Sequence, residues 1–241
     1  MTGIIVGADT AEATLRATLA ADERAELHAL LATHFDGVTD EQFARDLDAK
    51  DWVLRIRRDG RLVGFTTLQV SRATVDGSTF NLVYSGDTIM APEAWGSPVL
   101  ARAWIAMVRR IQGERIDEPW YWLLLSSGFR TYRFLPVFWR EFWPRFDAPT
   151  PADVARRMAH LARARFAAEY DEAAGVVRFA RPQRLRPELV DIPDGKRVDP
   201  HVEFFLARNP GHVRGDELVC FASLGDDNLT AAGQRMVRGL R

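Results

Sequence analysis

The stretch DWVLRIRRDGRLVGFTTLQV, residues 51–70, reads as one β-hairpin. Trp52, Leu54 and Ile56 fall on one side and Val53, Arg55 and Arg57 on the other, the period-two pattern of a half-buried strand. Asp59-Gly60 is the two-residue connection that tolerates left-handed backbone, and residues 62–70 supply the partner strand. Asp76-Gly77 repeats the turn signal and opens a third antiparallel strand over 79–90. Gly86 interrupts that strand, which predicts a bulge or a close backbone approach. Pro92 ends it.

Upstream, the β-branched run Ile4–Val6 predicts a short strand. Leu27, Leu30, Leu31 and His34 recur at helical spacing and predict a helix over 22–35. Thr39 with Gln42 three residues on predicts the cap of a second helix running to Leu47. Downstream, Ser97-Pro98 marks a helix start for 98–111. Residues 120–125 form a dense apolar strand, and Ser126-Ser127-Gly128 turns the chain into a helix over 129–142, kinked at Pro136. A proline-punctuated linker precedes a helix over 151–170. A short strand over 176–179, a loop over 181–200, an ambiguous 202–207, a strand over 217–224 and a terminal helix over 230–240 complete the reading. The expected class is α/β (α+β): a mixed, mostly antiparallel twisted sheet flanked by helices.

Composition excludes several classes. The chain has 241 residues, 32 basic and 33 acidic side chains, and a formal net charge of −1, which speaks against bulk nucleic-acid binding. A single Cys220 rules out an intramolecular disulfide and a cysteine-rich zinc site. His28, His34, His160, His201 and His212 show no metal-ligand spacing, so no metal is expected. No apolar run is long enough for a transmembrane helix, and the first residues lack a signal-peptide pattern, so a soluble, cytoplasmic location is expected. Two features are less ordinary. Lys50 and Lys196 are the only lysines, and six of the seven tryptophans fall between Trp95 and Trp143.

The order of elements through residue 146 resembles the GNAT superfamily of N-acyltransferases. The pieces that carry the resemblance are DWVLRIRRDGRLVGFTTLQV, then VYSGDTIMAPEAWGSPVLARAW, then WYWLLLSSGFRTYRFLPVFWREFWPRF. The resemblance implies an acyltransferase core over 1–146; it does not explain 147–241, an extension packed on the core that is expected to add a strand pair and a helix to the sheet, to cover the acceptor site or to form a homodimer contact. It implies that the strands at 79–90 and 120–125 splay apart and hold the pantetheine arm of an acyl-CoA, or the same arm on an acyl carrier protein. The pyrophosphate then sits on backbone N–H groups at the start of the next helix.

The residues that match these positions are Ile89, Met90, Trp95, Gly96, Ser97 and Val99 on the strand–helix junction, and Ser126 and Ser127 at the end of the following strand. Trp95 stands where a basic residue is usual and Pro98 where a later glycine is common, so the cradle is degenerate and one N–H donor is missing. Arg102, Arg130 and Arg133 are the nearby sources of charge. The implied chemistry is direct attack of a small-molecule amine on the thioester, with Asp87 as base, Thr88 or Tyr84 assisting through water, and Tyr132 as the acid for the leaving thiolate. The alternative is a GNAT-like module that binds a small apolar ligand or a protein without catalysis.

Between Trp120 and Phe146, 11 of 27 residues are Phe, Trp or Tyr. Packing of helix on sheet is the first reading of this density, a pocket for an apolar acyl chain or aromatic acceptor the second, and peripheral membrane contact the third. Cys220, inside an apolar strand, reads as a buried small hydrophobe.

Overall fold

The computed structural model describes residues 4–115 and 118–238. Ten strands form one sheet among the described residues. In chain order the first elements are β1 (Ile4–Val6), β2 (Asp9–Leu15), α1 (Ala21–Ala32), α2 (Asp40–Asp48), β3 (Trp52–Arg58), β4 (Arg61–Val75), β5 (Ser78–Met90), α3 (Val99–Gln112) and β6 (Trp120–Ser126). There follow α4 (Phe129–Tyr132), α5 (Phe134–Phe138), β7 (Phe142–Trp143), α6 (Ala152–Phe166), β8 (Tyr170–Asp171), β9 (Val176–Val177), α7 (Pro200–Arg208), β10 (Glu217–Ser223) and α8 (Ala231–Val237). The sheet order is β1-β2-β3-β4-β5-β6-β10-β9-β8, with β7 also pairing β10. Every pair is antiparallel except β5–β6. The mixed, mostly antiparallel sheet flanked by helices is the architecture expected.

The hairpin behaves as its pattern requires. Asp59 and Gly60 both take positive φ (50° and 79°), as do Asp76 and Gly77 (50° and 76°). Leu54 and Ile56 enter the core on the α3 face, whereas Val53 packs under α1 and α2. Arg55 and Arg57 reach the same α1 side and pair with Glu23 and Glu26. Thr39 caps α2, its hydroxyl accepting from the Gln42 N–H at 3.2 Å.

Several expectations are corrected. Residues 9–15 form a strand, β2, which pairs with β3 along its whole length. The helix expected over 129–142 is broken into α4 and α5, and the chain then turns extended at Trp139 and into β7. Pro136 has no N–H to offer the Tyr132 carbonyl, so the helix cannot pass that point as one rod. Helix α3 begins at Val99, with Pro98 at the cap position and the Ser97 hydroxyl accepting from the Val99 N–H at 3.3 Å. The 181–200 loop contains short helices at Pro187–Val190 and Asp194–Arg197. The ambiguous 202–207 lies in α7, and Asp199 caps it by accepting from the His201 N–H at 3.0 Å. The last two residues of the expected terminal helix lie outside the described residues.

Two deviations from regular pairing position the site. Thr66 pairs with Thr88 and Leu68 with Ser85, so the single Thr67 faces both Gly86 and Asp87. This is the bulge expected at Gly86. The parallel pairing of β5 with β6 runs from Asn81–Trp120 to Ser85–Leu124 and stops there. Beyond it the two strands diverge, β5 continuing to Met90 and β6 to Ser126. Gly64 on β4 presses on β5 where it diverges: a Cβ there would collide with the Met90 sulfur and lie 2.8 Å from the Ile89 carbonyl oxygen. Gly64→Ala is expected to destabilise by about 1–3 kcal/mol, read as a lower urea midpoint at unchanged slope. An unchanged midpoint would show that the β5 end yields freely.

Helices cover both faces. One face carries α3, α4, α5, α7 and α8 over the largest apolar cluster. The other carries α1 and α2 over one smaller cluster and α6 over a second. Strand β10 joins the sheet at β6, with Cys220 fully buried, so the chain beyond residue 146 shares the sheet with the strands before it.

Candidate functional site

The divergence of β5 and β6 opens two cavities on opposite faces of the sheet. The alternation of β6 shows this directly, since Leu124 lines one cavity and Leu125 the other. The first has a volume of about 560 Å³ and lies between α3 and the α4–α5 segment. Its wall is aromatic and aliphatic: Leu100, Ala101, Trp104, Trp122, Phe134 and Phe138. The Trp104 and Trp122 ring centroids lie 4.3 Å apart, and Trp139 packs behind both at 5.7 and 4.9 Å. The tryptophan cluster therefore packs α3 and α5 onto the sheet and also forms a cavity wall. Leu185, Leu189, Val190, Pro193 and Lys196, all from the chain beyond residue 146, complete the lining.

The second cavity, about 920 Å³, lies between α2 and α6 and is polar. Asp46, Lys50, Tyr84, Asp87, Arg165 and Glu217 line it. Phe35, Thr88, Ser127 and Thr131 line both cavities, so the two meet at the divergence.

The polar cavity concentrates groups with displaced proton affinity. Burial, together with the charges of Asp87 and Asp46, pushes the Glu217 carboxyl up to about 8. Burial and the Asp87 charge raise Asp46 in the same direction. Burial lowers the proton affinity of the Lys50 amine, opposed by Asp87 and Asp46. Burial raises the Tyr84 phenol, whose ring carries the Arg165 guanidinium at 3.6 Å. Titratable groups displaced by burial and by named charge partners, gathered in a cleft, make this the candidate site of chemistry.

The residues expected from sequence divide. Asp87 lies in the polar cavity beside Lys50 and Glu217. Ile89, Met90, Trp95, Ser97 and Ser127 line the apolar one. Gly96, Val99 and Ser126 line neither: Gly96 is exposed, Val99 is fully buried, and the buried Ser126 hydroxyl has no hydrogen-bond partner among the described residues. Tyr132 is a correction. Its side chain is fully buried among Phe142, Phe204 and Phe205, its hydroxyl donates to the Pro144 carbonyl at 2.9 Å, and it lines neither cavity. It fastens α4 to β7 and α7 instead of facing the cleft. Lys50, Asp46 and Glu217 were not singled out as site residues by sequence.

The junction between β5 and α3 is filled from within. The Trp95 indole N–H donates to the Met90 carbonyl at 2.7 Å, and His34 Nε2 lies 3.2 Å from the same oxygen. The Arg130 guanidinium stacks 3.8 Å above the Trp95 ring and donates to the Leu189 carbonyl at 2.8 Å. Of the other two arginines, Arg133 pairs with Asp199 and Arg102 donates to the Arg238 carbonyl. Arg130 is thus a cation at the junction, stacked on Trp95. Among the described residues no helix is long and apolar enough to cross a membrane.

No family model matches the chain, and no curated protein is similar to it. Solved structures are similar over part of it. A probable N-acyltransferase of Enterococcus faecalis is 13% identical over 56% of this chain and 33% of that one, at a TM-score of 0.41. Saccharomyces cerevisiae N-myristoyltransferase with bound myristoyl-CoA is 16% identical over 52% of this chain and 32% of that one, at 0.39. An Escherichia coli GNAT-family N-acetyltransferase in complex with CoA is 15% identical over 52% of this chain and 67% of that one, at 0.37. The chain spans about a third of the length of the first two. The β5 bulge and the divergence of a parallel strand pair are features that the GNAT resemblance implied.

Proposed function

We propose that the chain transfers an acyl group from a pantetheine thioester, either an acyl-CoA or an acyl-carrier-protein thioester, to a small amine that attacks it directly. One observation carries this reading: an apolar, aromatic-walled cavity and a polar cavity with displaced carboxyls meet at the gap between β5 and β6. An extended donor arm entering that gap would place its acyl chain against Trp104 and Trp122. Its reactive carbonyl would then lie where the two cavities join. Holding amine and thioester in line supplies most of the acceleration such a reaction needs.

In this reading Glu217 takes the proton of the attacking ammonium, since a proton affinity near 8 suits a base working near neutral pH. Asp87, expected as the base, contributes by its charge, which raises Glu217. A thiolate is a far better leaving group than an amine that has lost its proton, so it departs without a dedicated acid and the step does not call on Tyr132. In this reading Ser127 and Thr131, which line both cavities, hydrogen-bond the thiolate.

Thermal melting with acetyl-CoA, octanoyl-CoA and an acyl carrier protein tests the donor. A ligand at 100 times its Kd should stabilise by about 2.7 kcal/mol. No shift with any thioester would overturn the enzyme reading. It would favour the alternative of a non-catalytic binding module, which the internal capping of Met90 by Trp95 supports.

A further inference from the structure

We propose that Lys50 is itself an acyl acceptor: a thioester seated in the apolar cavity transfers its acyl group to Lys50 Nζ, leaving a stable amide in the wall of the polar cavity. This rests on the donor reading above and extends it to the chain's own amine. The Lys50 side chain lies on the bulge. A Cβ built on Gly86 would meet Lys50 Cε at 2.7 Å and Nζ at 2.8 Å, so the glycine is what lets the amine come this close to the β5 backbone. Lys50 is 6% exposed, and its Nζ donates to the Asp46 carbonyl at 2.9 Å and lies 5.6 Å from the Tyr84 ring centroid. The hydroxyl of the buried Thr67, 3.0 Å from the same Gly86 position, has no hydrogen-bond partner among the described residues. The amine thus sits at the bulge, two residues along β5 from Thr88, which lines both cavities, with room for an acyl group in the 920 Å³ of the polar one.

The residue type adds a second argument. Of 32 basic residues, 30 are arginine. A guanidinium stays protonated in proteins and is a poor nucleophile, whereas a buried amine loses its proton far more readily. Burial acts on Lys50 in that direction. A chain that uses arginine almost everywhere keeps an amine at the bulge. The groups facing it are Asp46, Asp87, Glu217, Tyr84 and Arg165.

The step balances with the thioester as its sole co-reactant. The ammonium gives one proton to a neighbouring carboxylate, and the Nζ lone pair attacks the thioester carbon. The C–N bond forms as the C–S bond breaks. The second amine proton leaves to solvent, the thiolate is protonated to the thiol, and no electron is lost or gained.

The test incubates the full chain with acetyl-CoA and with octanoyl-CoA and maps the product by intact and peptide mass. Lys196, exposed on the apolar cavity that holds the donor, is the competing amine against which Lys50 is compared. One acyl mass on Lys50, at least about tenfold faster than on Lys196, is expected from enforced proximity. Lys50→Arg should lose that mass; the wild-type peptide map stands alone if this variant fails to fold. A donor that shifts the melting temperature while Lys50 stays unlabelled, or labels no faster than Lys196, overturns this proposal and leaves the donor reading intact. Absence of any melting shift overturns the donor reading and this proposal with it.

Discussion

Glu217→Gln is expected to lower kcat/KM for amine acylation by ~10²–10⁴-fold, the usual worth of a positioned general base. The wild-type rate should rise with pH through about 8 and then level, because the carboxyl must release its own proton before it can accept one. The glutamine variant should lose that limb of the profile. The same substitution has an opposite effect on stability, and the sign follows from linkage. Folding raises the Glu217 carboxyl from 4.5 to about 8, so between those values the native chain holds a proton that the unfolded chain has released. Stability attributable to this group therefore falls as pH rises through that window. Glutamine has the same shape and carries no charge, so the variant should melt higher than wild type at pH 8 and above. A variant that is slower and more stable fits a strained functional group, the trade expected at active sites. A variant that is slower and less stable would make Glu217 a packing residue, and unchanged turnover would return the base to Asp87.

How much of this was legible in the chain depends on the range of the interaction responsible. The hairpin over 52–70, its Asp59-Gly60 turn, the Thr39 cap and the Gly86 bulge are decided by a few adjacent residues, and all four formed as read. Strand β2 was missed because Ala11 and Ala13 give a weak alternation, and the strand exists by virtue of a seven-residue register with β3. The orientation of Tyr132 was misread because it depends on where the helix breaks, and Pro136 breaks it just after Tyr132. The polar cluster was not legible as a unit. Asp46 and Lys50 come from the end of α2, Asp87 from the bulge and Glu217 from β10, and their displaced proton affinities exist only once burial brings them together. One compositional signal did point there. The scarcity of lysine singles out two positions, and one lines each cavity.

Ala101→Phe should remove long-chain donors and spare short ones. Ala101 sits on α3, 4% exposed, and lines the apolar cavity one turn before Trp104. If the acyl chain occupies that space, each methylene it buries is worth ~0.8 kcal/mol, so the six that separate octanoyl from acetyl are worth ~5 kcal/mol, on the order of 10³–10⁴ in kcat/KM. A phenyl group at 101 fills the volume those methylenes would take. The variant should therefore lose most of the octanoyl preference while its kcat/KM with acetyl-CoA changes by less than about tenfold, the contrast that separates an acyl pocket from general damage. The stability cost of overfilling a packed wall is about 1–3 kcal/mol, but this wall borders a cavity, so the cost should fall at the low end. Melting in the absence of donor checks that directly. A parallel fall for both donors would place the pantetheine arm, and not the acyl chain, against α3. Retention of the octanoyl preference would send the acyl chain to the polar side of the gap, where Tyr84 and Phe166 are the available apolar surface, and would reverse the assignment of the two cavities.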